Sequence, residues 1–238
     1  MTIEEFSNSF DTLLNSYAVS AMFGEETSKQ TVALDEYEKS VFLTKAQEEL
    51  VISLYNGKNS YGDSFESTEE IRRYLANLVA EKKLNPITNS SGIPIGVSSS
   101  STFFTLPEDL WFITMESAIV DKGKCGQKYI KVYPVKQDEF QNIKDNPFRG
   151  ANDRRVLRLD LSEGNVEIIS KYTVSKYYVR YVKRLSPIVL IDLPDNLSIN
   201  EVKVATECQL HEALHEKILD LAVRMALQSK GYHFNQEK

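Results

Sequence analysis

The first part of the chain carries apolar residues at the three- and four-residue spacing of amphipathic helices. This spacing predicts a first helix over 3–17 and a second over 34–55, which Asn56-Gly57 ends. Within the second segment, Thr44-Lys45-Ala46-Gln47 has the pattern of a capping box. The chain therefore opens with at least two helices.

A third helix is predicted over 71–84, where a capping box at 67–70 precedes apolar residues that share one face. The residues that follow, 85–102, are rich in Ser, Gly and Pro and are typical of a long loop or arm. Such a segment either separates two structured parts or becomes ordered against a partner.

In the middle of the chain the helical spacing gives way to alternation, with many aromatic and β-branched residues. Strands are predicted over 111–120, 128–135, 155–161, 166–170, 173–183 and 188–193, with a short helical turn over 137–144. In the stretch RVLRLDL, alternation places Leu157, Leu159 and Leu161 on one face and Arg158 and Asp160 on the other. Glu163-Gly164-Asn165 then predicts a hairpin.

Helical spacing returns near the end of the chain. Thr206-Glu207-Cys208-Gln209 has the pattern of a capping box and Lys230-Gly231 that of a stop, which predicts a helix over 206–230. Its apolar seam consists of Leu210, Leu214, Ile218, Leu221 and Met225.

The order of helices, strands and helix, with little βαβ alternation, predicts an α+β fold. In this arrangement the N-terminal helices and the C-terminal helix form a bundle, and a β-strand-rich region is inserted between them. The expected division is a helical part over 1–84, a flexible Ser/Gly/Pro loop over 85–102, a β-rich region over 103–204, and the C-terminal helix with its tail over 205–238.

Composition narrows the class of protein. The 238 residues are 42% hydrophobic and 26% charged, as in soluble globular proteins, and the net charge of −6 gives no general attraction to nucleic acid or anionic membranes. Cys125 and Cys208 are too few for a disulfide framework. Acidic residues near the start and the lack of a long apolar stretch argue against a signal peptide or membrane span, so synthesis in a reducing cytoplasm is expected.

The stretch His211-Glu212-Ala213-Leu214-His215 matches the H-E-x-x-H motif of zinc peptidases. On a helix the two histidines would share a face as zinc ligands, with Glu212 as general base. A catalytic zinc needs a third ligand, for which the remaining chain offers only Glu216, Asp220, His233 and Glu237. Since the apolar seam explains more of this segment, a packing helix is the favoured interpretation and a zinc-dependent metallopeptidase the alternative.

Basic residues cluster at 149–158 and again at Lys176, Arg180, Lys183 and Arg184. They fit a solvated face or a contact with an acidic partner, and a nucleic-acid-binding module is the further alternative. The alternation of Tyr177, Val179 and Tyr181 indicates sheet packing rather than base stacking. With no nucleophile elbow, phosphate loop or dinucleotide motif, the prediction is a non-enzymatic protein without catalytic, metal or cofactor-binding residues.

Three patches, in their order along the chain, resemble a virion structural protein of crAss-like tailed phages. The first is LDEYEKS at 34–40 followed by LTKAQ at 43–47, and the second is VRYVKR at 179–184 followed by PIVL at 187–190. The third covers 208–222 and is also similar to the closing helix of podovirus head-to-tail adaptors, the tail tubular proteins.

This resemblance implies a structural subunit of the head-to-tail connector, which needs no cofactor. Copies of the chain would form a dodecameric ring that docks on the portal protein and links it, through other connector or tail ring proteins, to the tail. Genomic DNA would only pass through the lumen during ejection, and no membrane would be contacted. The expected location is the virion, after assembly in the host bacterial cytoplasm.

Overall fold

Contacts in the computed structural model gather into two compact units. One comprises Met1–Leu78 with Leu185–Lys238, and the other Val79–Arg184. We refer to them as the helical unit and the strand unit, because the first holds the longer helices and the second a β-sheet. The residues that the structure describes are 1–21, 33–58, 68–88, 96–123 and 126–232. The predicted α+β class is confirmed.

The helical unit follows the apolar pattern of the sequence at its start and departs from it later. Its described helices are α1 (Ile3–Ala21), α2 (Glu36–Asn56), α3 (Glu69–Tyr74) and α5 (His215–Ser229), with 3₁₀ turns at Ala76–Leu78 and Glu212–Leu214. The helix predicted over 71–84 is wrong beyond Tyr74, because Val79–Leu84 forms strand β1. Pairing with a neighbouring strand outweighs the local helical preference there.

Residues at the two ends of α2 determine where the helix begins and ends. The Asp35 side chain accepts a hydrogen bond from the Glu38 amide at 2.7 Å, and the Glu38 carboxylate accepts one from the Asp35 amide at 3.3 Å. This reciprocal capping box satisfies amides that the helix leaves free. The box predicted at Thr44 is wrong, because Thr44 lies inside the helix, whereas Gly57 ends it as predicted, with φ of 71°.

Helix α5 is central to the helical unit, since it packs against both α1 and α2. Ala222 and Ala226 on α5 are fully buried, and their small side chains allow close approach of a neighbouring helix. The buried apolar residues of these helices include Phe6, Phe10 and Leu14 from α1, Leu43, Ala46, Val51 and Leu54 from α2, and Ile218, Leu219 and Val223 from α5.

The strand predicted over 188–193 is wrong, because the described backbone there makes only an isolated bridge. Polar side chains of α2 take the place of a strand partner. The Thr44 hydroxyl accepts from the Ile188 amide at 3.1 Å and donates to the Ile188 carbonyl at 3.2 Å, and Ser40 accepts from the Leu190 amide at 2.9 Å. Buried backbone groups need such partners, so these hydroxyls replace a β-ladder.

The predicted C-terminal helix begins later than expected. Thr206 does not cap a helix, because its backbone pairs with Val189 in the isolated bridge. Helix α5 starts only at His215, after the 3₁₀ turn, and ends at Ser229 before Gly231, whose φ is 89°. The stop signal is confirmed, and the start signal at 206 is wrong.

The strand unit holds one sheet of seven described strands in the order β1-β7-β3-β4-β5-β6-β2. Neighbouring strands are antiparallel except β4 and β5, which are parallel. The bounds are β1 (Val79–Leu84), β2 (Ser101–Thr105), β3 (Leu110–Asp121), β4 (Gln127–Pro134), β5 (Arg155–Asp160), β6 (Asn165–Ile169) and β7 (Thr173–Lys183), with the one-turn helix α4 at Phe140–Ile143. The hairpin predicted between β5 and β6 is confirmed, with Glu163 and Gly164 both at positive φ.

Both described ends of the predicted loop over 85–102 are held near the edge strand β2. The Ile87 amide donates to the Phe103 carbonyl at 2.9 Å. On the other side, the fully buried Glu167 of β6 accepts from the Val97 amide at 2.8 Å and from the Ser101 hydroxyl. Strand β2 begins inside the predicted loop, and residues 89–95 lie outside the described part of the chain.

The expectation that Arg158 lies on a solvated face is wrong, because only 9% of this residue is exposed. Its Nη1 donates to Glu116 Oε2 at 2.8 Å, and the Tyr177 hydroxyl donates to the same oxygen at 2.5 Å. Burial and the Glu116 charge raise the pKa of Tyr177 above its ordinary value. An apolar cluster that includes Leu157 and Leu159 covers the other side of β5, so both faces of this strand are buried.

Candidate functional site

The H-E-x-x-H segment straddles the start of α5 instead of lying within one helix. His211 precedes the 3₁₀ turn, and its Nδ1 accepts from the Ala213 amide at 3.2 Å. His215 is the first residue of α5. The prediction that both histidines share a helix face is therefore wrong, because only the second one is helical.

His215 is a packing residue whose two ring nitrogens both have partners. The side chain is buried, with Nε2 lying 3.1 Å from the Leu210 carbonyl and Nδ1 lying 2.9 Å from the Met1 amino nitrogen. A neutral imidazole fits both contacts, donating from Nε2 and accepting at Nδ1. The ring of Phe6 lies 5.1 Å away between centroids.

The remaining residues of the proposed zinc site do not converge. Within the described residues, no group of three His, Cys, Asp or Glu side chains is arranged to hold a metal ion. His233 and Glu237, two of the candidate donors, lie outside the described residues. Glu212 is exposed, whereas Leu214 of the same motif is fully buried.

We expect the purified protein to bind no stoichiometric zinc through this motif. Both ring nitrogens of the buried His215 already have partners, so a zinc ion could bind one of them only by displacing that partner. Elemental analysis after dialysis against zinc, with His211→Ala as the matched variant, measures this directly. One zinc per chain that disappears in His211→Ala would contradict the packing interpretation.

Stability of the helical unit is expected to fall in mild acid through His215. Burial, together with the Met1 ammonium group, lowers the pKa of His215 below its ordinary value of 6.5. Since the pKa is lower in the folded than in the unfolded chain, the unfolded chain takes up the proton first. The contribution to stability is therefore present above about pH 6.5 and is lost as the pH falls through the lowered pKa.

Urea unfolding between about pH 8 and about pH 5 measures this loss. His215→Gln keeps a polar side chain without a titrating ring, so its unfolding free energy should change less across this range. The exposed His211→Gln is the matched control. Parallel pH profiles for the wild type and His215→Gln would rule out the role of His215.

The predicted basic clusters do not form one continuous track. Arg158 is buried against Glu116, and Arg180 on the outer face of β7 pairs with Glu81 at 3.2 Å. The Arg155 guanidinium lies 4.1 Å from the ring centroid of Tyr133. Tyr177 and Tyr181 point into the core, as the alternation predicts. Several of these cations are therefore committed to contacts within the strand unit.

A turn that sequence reasoning missed carries the most exposed large hydrophobic side chain among the described residues. Phe148, 85% exposed, lies in the turn 146–150, which we call the Phe148 turn. The Asn146 side chain accepts from the amides of Phe148 at 2.9 Å and Arg149 at 3.0 Å, and the Gly150 amide donates to the Asn146 carbonyl at 2.7 Å. Asn146-Pro147 was the available turn signal, but it says nothing about exposure.

A second missed feature is a groove between α1 and α5 in the helical unit, which we call the α1–α5 groove. Its volume is about 510 Å³, and Leu13, Tyr17 and Leu219 contribute apolar surface to it. Glu216 and Asp220 place carboxylates along the α5 side. Such a groove can accept a large apolar side chain with an adjacent cation.

One protein family, described as Phage tail ring protein 3/4, has a model that matches residues 1–238. The chain belongs to this family. Among similar proteins, Ring protein 3 of Bacteroides phage crAss001 is 47% identical over 234 residues, covering 97% of this chain and 96% of that protein. Ring protein 4/5 of the same phage is 29% identical over 235 residues, covering 95% and 92%.

Membership of the tail ring protein 3/4 family confirms the resemblance to crAss-like phage virion proteins. The match extends over both units, so it is not limited to the three patches that suggested it. Both relatives are named as ring proteins, and neither name refers to an enzyme. Within the described residues, no helix is long and apolar enough to span a bilayer.

Proposed function

We propose that this chain is a non-enzymatic structural subunit that assembles with copies of itself into a ring in the tail of a crAss-like phage virion. The observation that carries the proposal is the family match along residues 1–238. The chain is 47% identical to Ring protein 3 and 29% identical to Ring protein 4/5, which supports a role like that of Ring protein 3.

The finer parts of the proposal concern the partners of the ring. The ring is dodecameric, docks on the portal, contacts other connector or tail ring proteins, and lets the genome pass through its lumen during ejection. Assembly takes place in the host cytoplasm. The resemblance to head-to-tail adaptors supports these points.

The layout of the chain suits a ring subunit. In a cyclic ring each subunit–subunit contact joins two different surfaces, so one chain must present two complementary faces. The packing of α5 against α1 and α2 offers one surface for such a face, and the sheet offers another. The segment at 85–102 would add contact area when it docks on a partner.

Electron microscopy of the purified protein, alone and mixed with portal and neighbouring ring proteins of the same phage, tests the proposal. We expect closed rings, and their rotational symmetry gives the copy number. A chain that stays monomeric in every mixture would contradict it. Rings that form only with a neighbouring ring protein, and not with portal, would correct the proposed partner while keeping the function.

A further inference from the structure

The helical and strand units carry opposite net charges. Residues 79–184 contain 17 Lys and Arg against 12 Asp and Glu, a net charge of +5, while the remaining residues contain 11 against 22, a net charge of −11. Together these give the −6 of the whole chain. Opposite potentials steer two surfaces together and fix their register. Two copies of the chain therefore attract each other most when the strand unit of one faces the helical unit of the other.

The Phe148 turn has the properties of the protruding half of such a contact. Burying an exposed aromatic side chain in a partner removes apolar surface from water and stabilises the complex. The hydrogen bonds of Asn146 fix the turn in advance, and at Gly150 a β-carbon would lie 2.7 Å from the carbonyl oxygens of Lys144 and Asn146. A preformed turn loses little conformational freedom on binding.

Two cations follow Phe148 closely along the chain. Arg149 and Arg154 are exposed, and neither guanidinium has an ion-pair partner among the described residues. Asp153, which could have neutralised them, is engaged by Lys171 at 3.0 Å. The Phe148 turn thus presents an apolar side chain with adjacent positive charge.

The α1–α5 groove has the complementary properties. Leu219 is buried at its base and Leu13 is half-buried beside it. Asp220 is partly neutralised, because Arg224 pairs with it at 3.0 Å and the Tyr17 hydroxyl donates to it at 2.7 Å. Glu216 has no ion-pair partner within the described ranges, so it is the carboxylate available to a cation from another molecule.

We propose that Phe148 of one copy inserts into the α1–α5 groove of a neighbouring copy, with Arg149 beside Glu216, and that this contact joins adjacent subunits. The inference rests on the proposed ring function and specifies its subunit interface. Both halves of the contact are present on every chain, as a head-to-tail ring requires.

Cross-linking between differently tagged copies tests the contact. One copy carries Pro147→Cys, which keeps the neighbouring Phe148, and the other carries Thr12→Cys at the groove rim. The two are mixed, assembled and mildly oxidised. We expect a cross-linked product that contains both tags. Asp138→Cys, on another exposed turn of the strand unit, replaces Pro147→Cys as the matched control, and the chain with only its native cysteines measures the background.

Substitutions at Phe148, Arg149 and Glu216 provide a second test of the contact. Phe148→Ala should leave thermal unfolding unchanged, because the side chain is exposed, while raising the concentration needed for assembly by about ten- to a hundredfold. Phe148→Leu should retain most of the association. Arg149→Glu and Glu216→Arg should each weaken assembly, because each places like charges in every contact. An equal mixture of the two single variants can alternate around the ring with opposite charges in every contact, so the mixture and the double variant should both recover assembly.

The outcomes separate this contact from the ring function. Rings that form normally with Phe148→Ala and give no mixed-tag product would overturn the contact and leave the proposed function standing. A cross-linked product that carries only one kind of tag, or a Phe148→Ala defect confined to binding of portal or another ring protein, would also overturn it. A wild-type chain that forms no ring in any mixture contradicts the proposed function and the contact together.

Discussion

Glu116→Ala is expected to lower the free energy of unfolding by about 3–5 kcal/mol, because it leaves the Arg158 guanidinium buried without its main anion. The side chains of Glu116 and Arg158 are only 9% and 10% exposed, and they lie 2.8 Å apart. Tyr177 would also lose the acceptor for its hydroxyl. Denaturant unfolding of the strand unit, followed by circular dichroism, measures the change.

Two further variants show whether the loss comes from an unpaired buried charge. Asp160→Ala removes the other carboxylate beside Arg158, but that side chain is 65% exposed, so we expect a loss of only about 0–1 kcal/mol. The double variant Glu116→Leu with Arg158→Met replaces the ion pair by apolar groups and should recover most of the lost stability. A Glu116→Ala protein as stable as Asp160→Ala would contradict the role of this network.

Leu214→Ala is expected to lower the free energy of unfolding by about 2–5 kcal/mol, because it removes a fully buried side chain next to the start of α5 and leaves a cavity. Ile218, one helical turn further along the same seam, is equally buried. Its replacement by alanine should lower the free energy of unfolding by a similar amount. Thermal and denaturant unfolding give both values.

The matched control lies in the same motif. Glu212 is exposed, so Glu212→Gln should change stability by no more than about 0.5 kcal/mol. A zinc peptidase would show the opposite ranking in an activity assay, with Glu212→Gln abolishing hydrolysis and Leu214→Ala acting only through stability. That ranking would overturn the packing interpretation.

Signals that depend on neighbouring residues could be read from the sequence, and signals that depend on distant partners could not. The apolar spacing of α1 and the stop at Gly57 are local, and both predictions are confirmed. Strand β1 was missed because VAEKKL is acceptable in a helix and becomes a strand only by pairing with β7. Residues 188–193 have strand-like composition, but side chains of α2 bind the backbone of Ile188 and the amide of Leu190 in place of a strand partner.

The same distinction explains the errors at the candidate sites. Alternation placed Arg158 on a solvated face, because it cannot show that Glu116 on another strand lies opposite. Spacing placed His211 and His215 on one helix, because it cannot show that the helix begins only at the second one. The Phe148 turn was missed for a related reason, since exposure depends on what the rest of the fold leaves uncovered.

The register of β1 and β7 brings the two ends of the strand unit together. Val79 opens the strand unit and pairs with Val182, two residues before that unit ends at Arg184. Partners in an antiparallel ladder have their α-carbons about 4.5–5.5 Å apart. The inserted unit therefore leaves and rejoins the rest of the chain at nearly one point, which is the geometry that tolerates domain insertion. A ring lineage could exchange this unit for another sheet and keep its helices, acquiring a new partner without redesigning the remainder of the subunit.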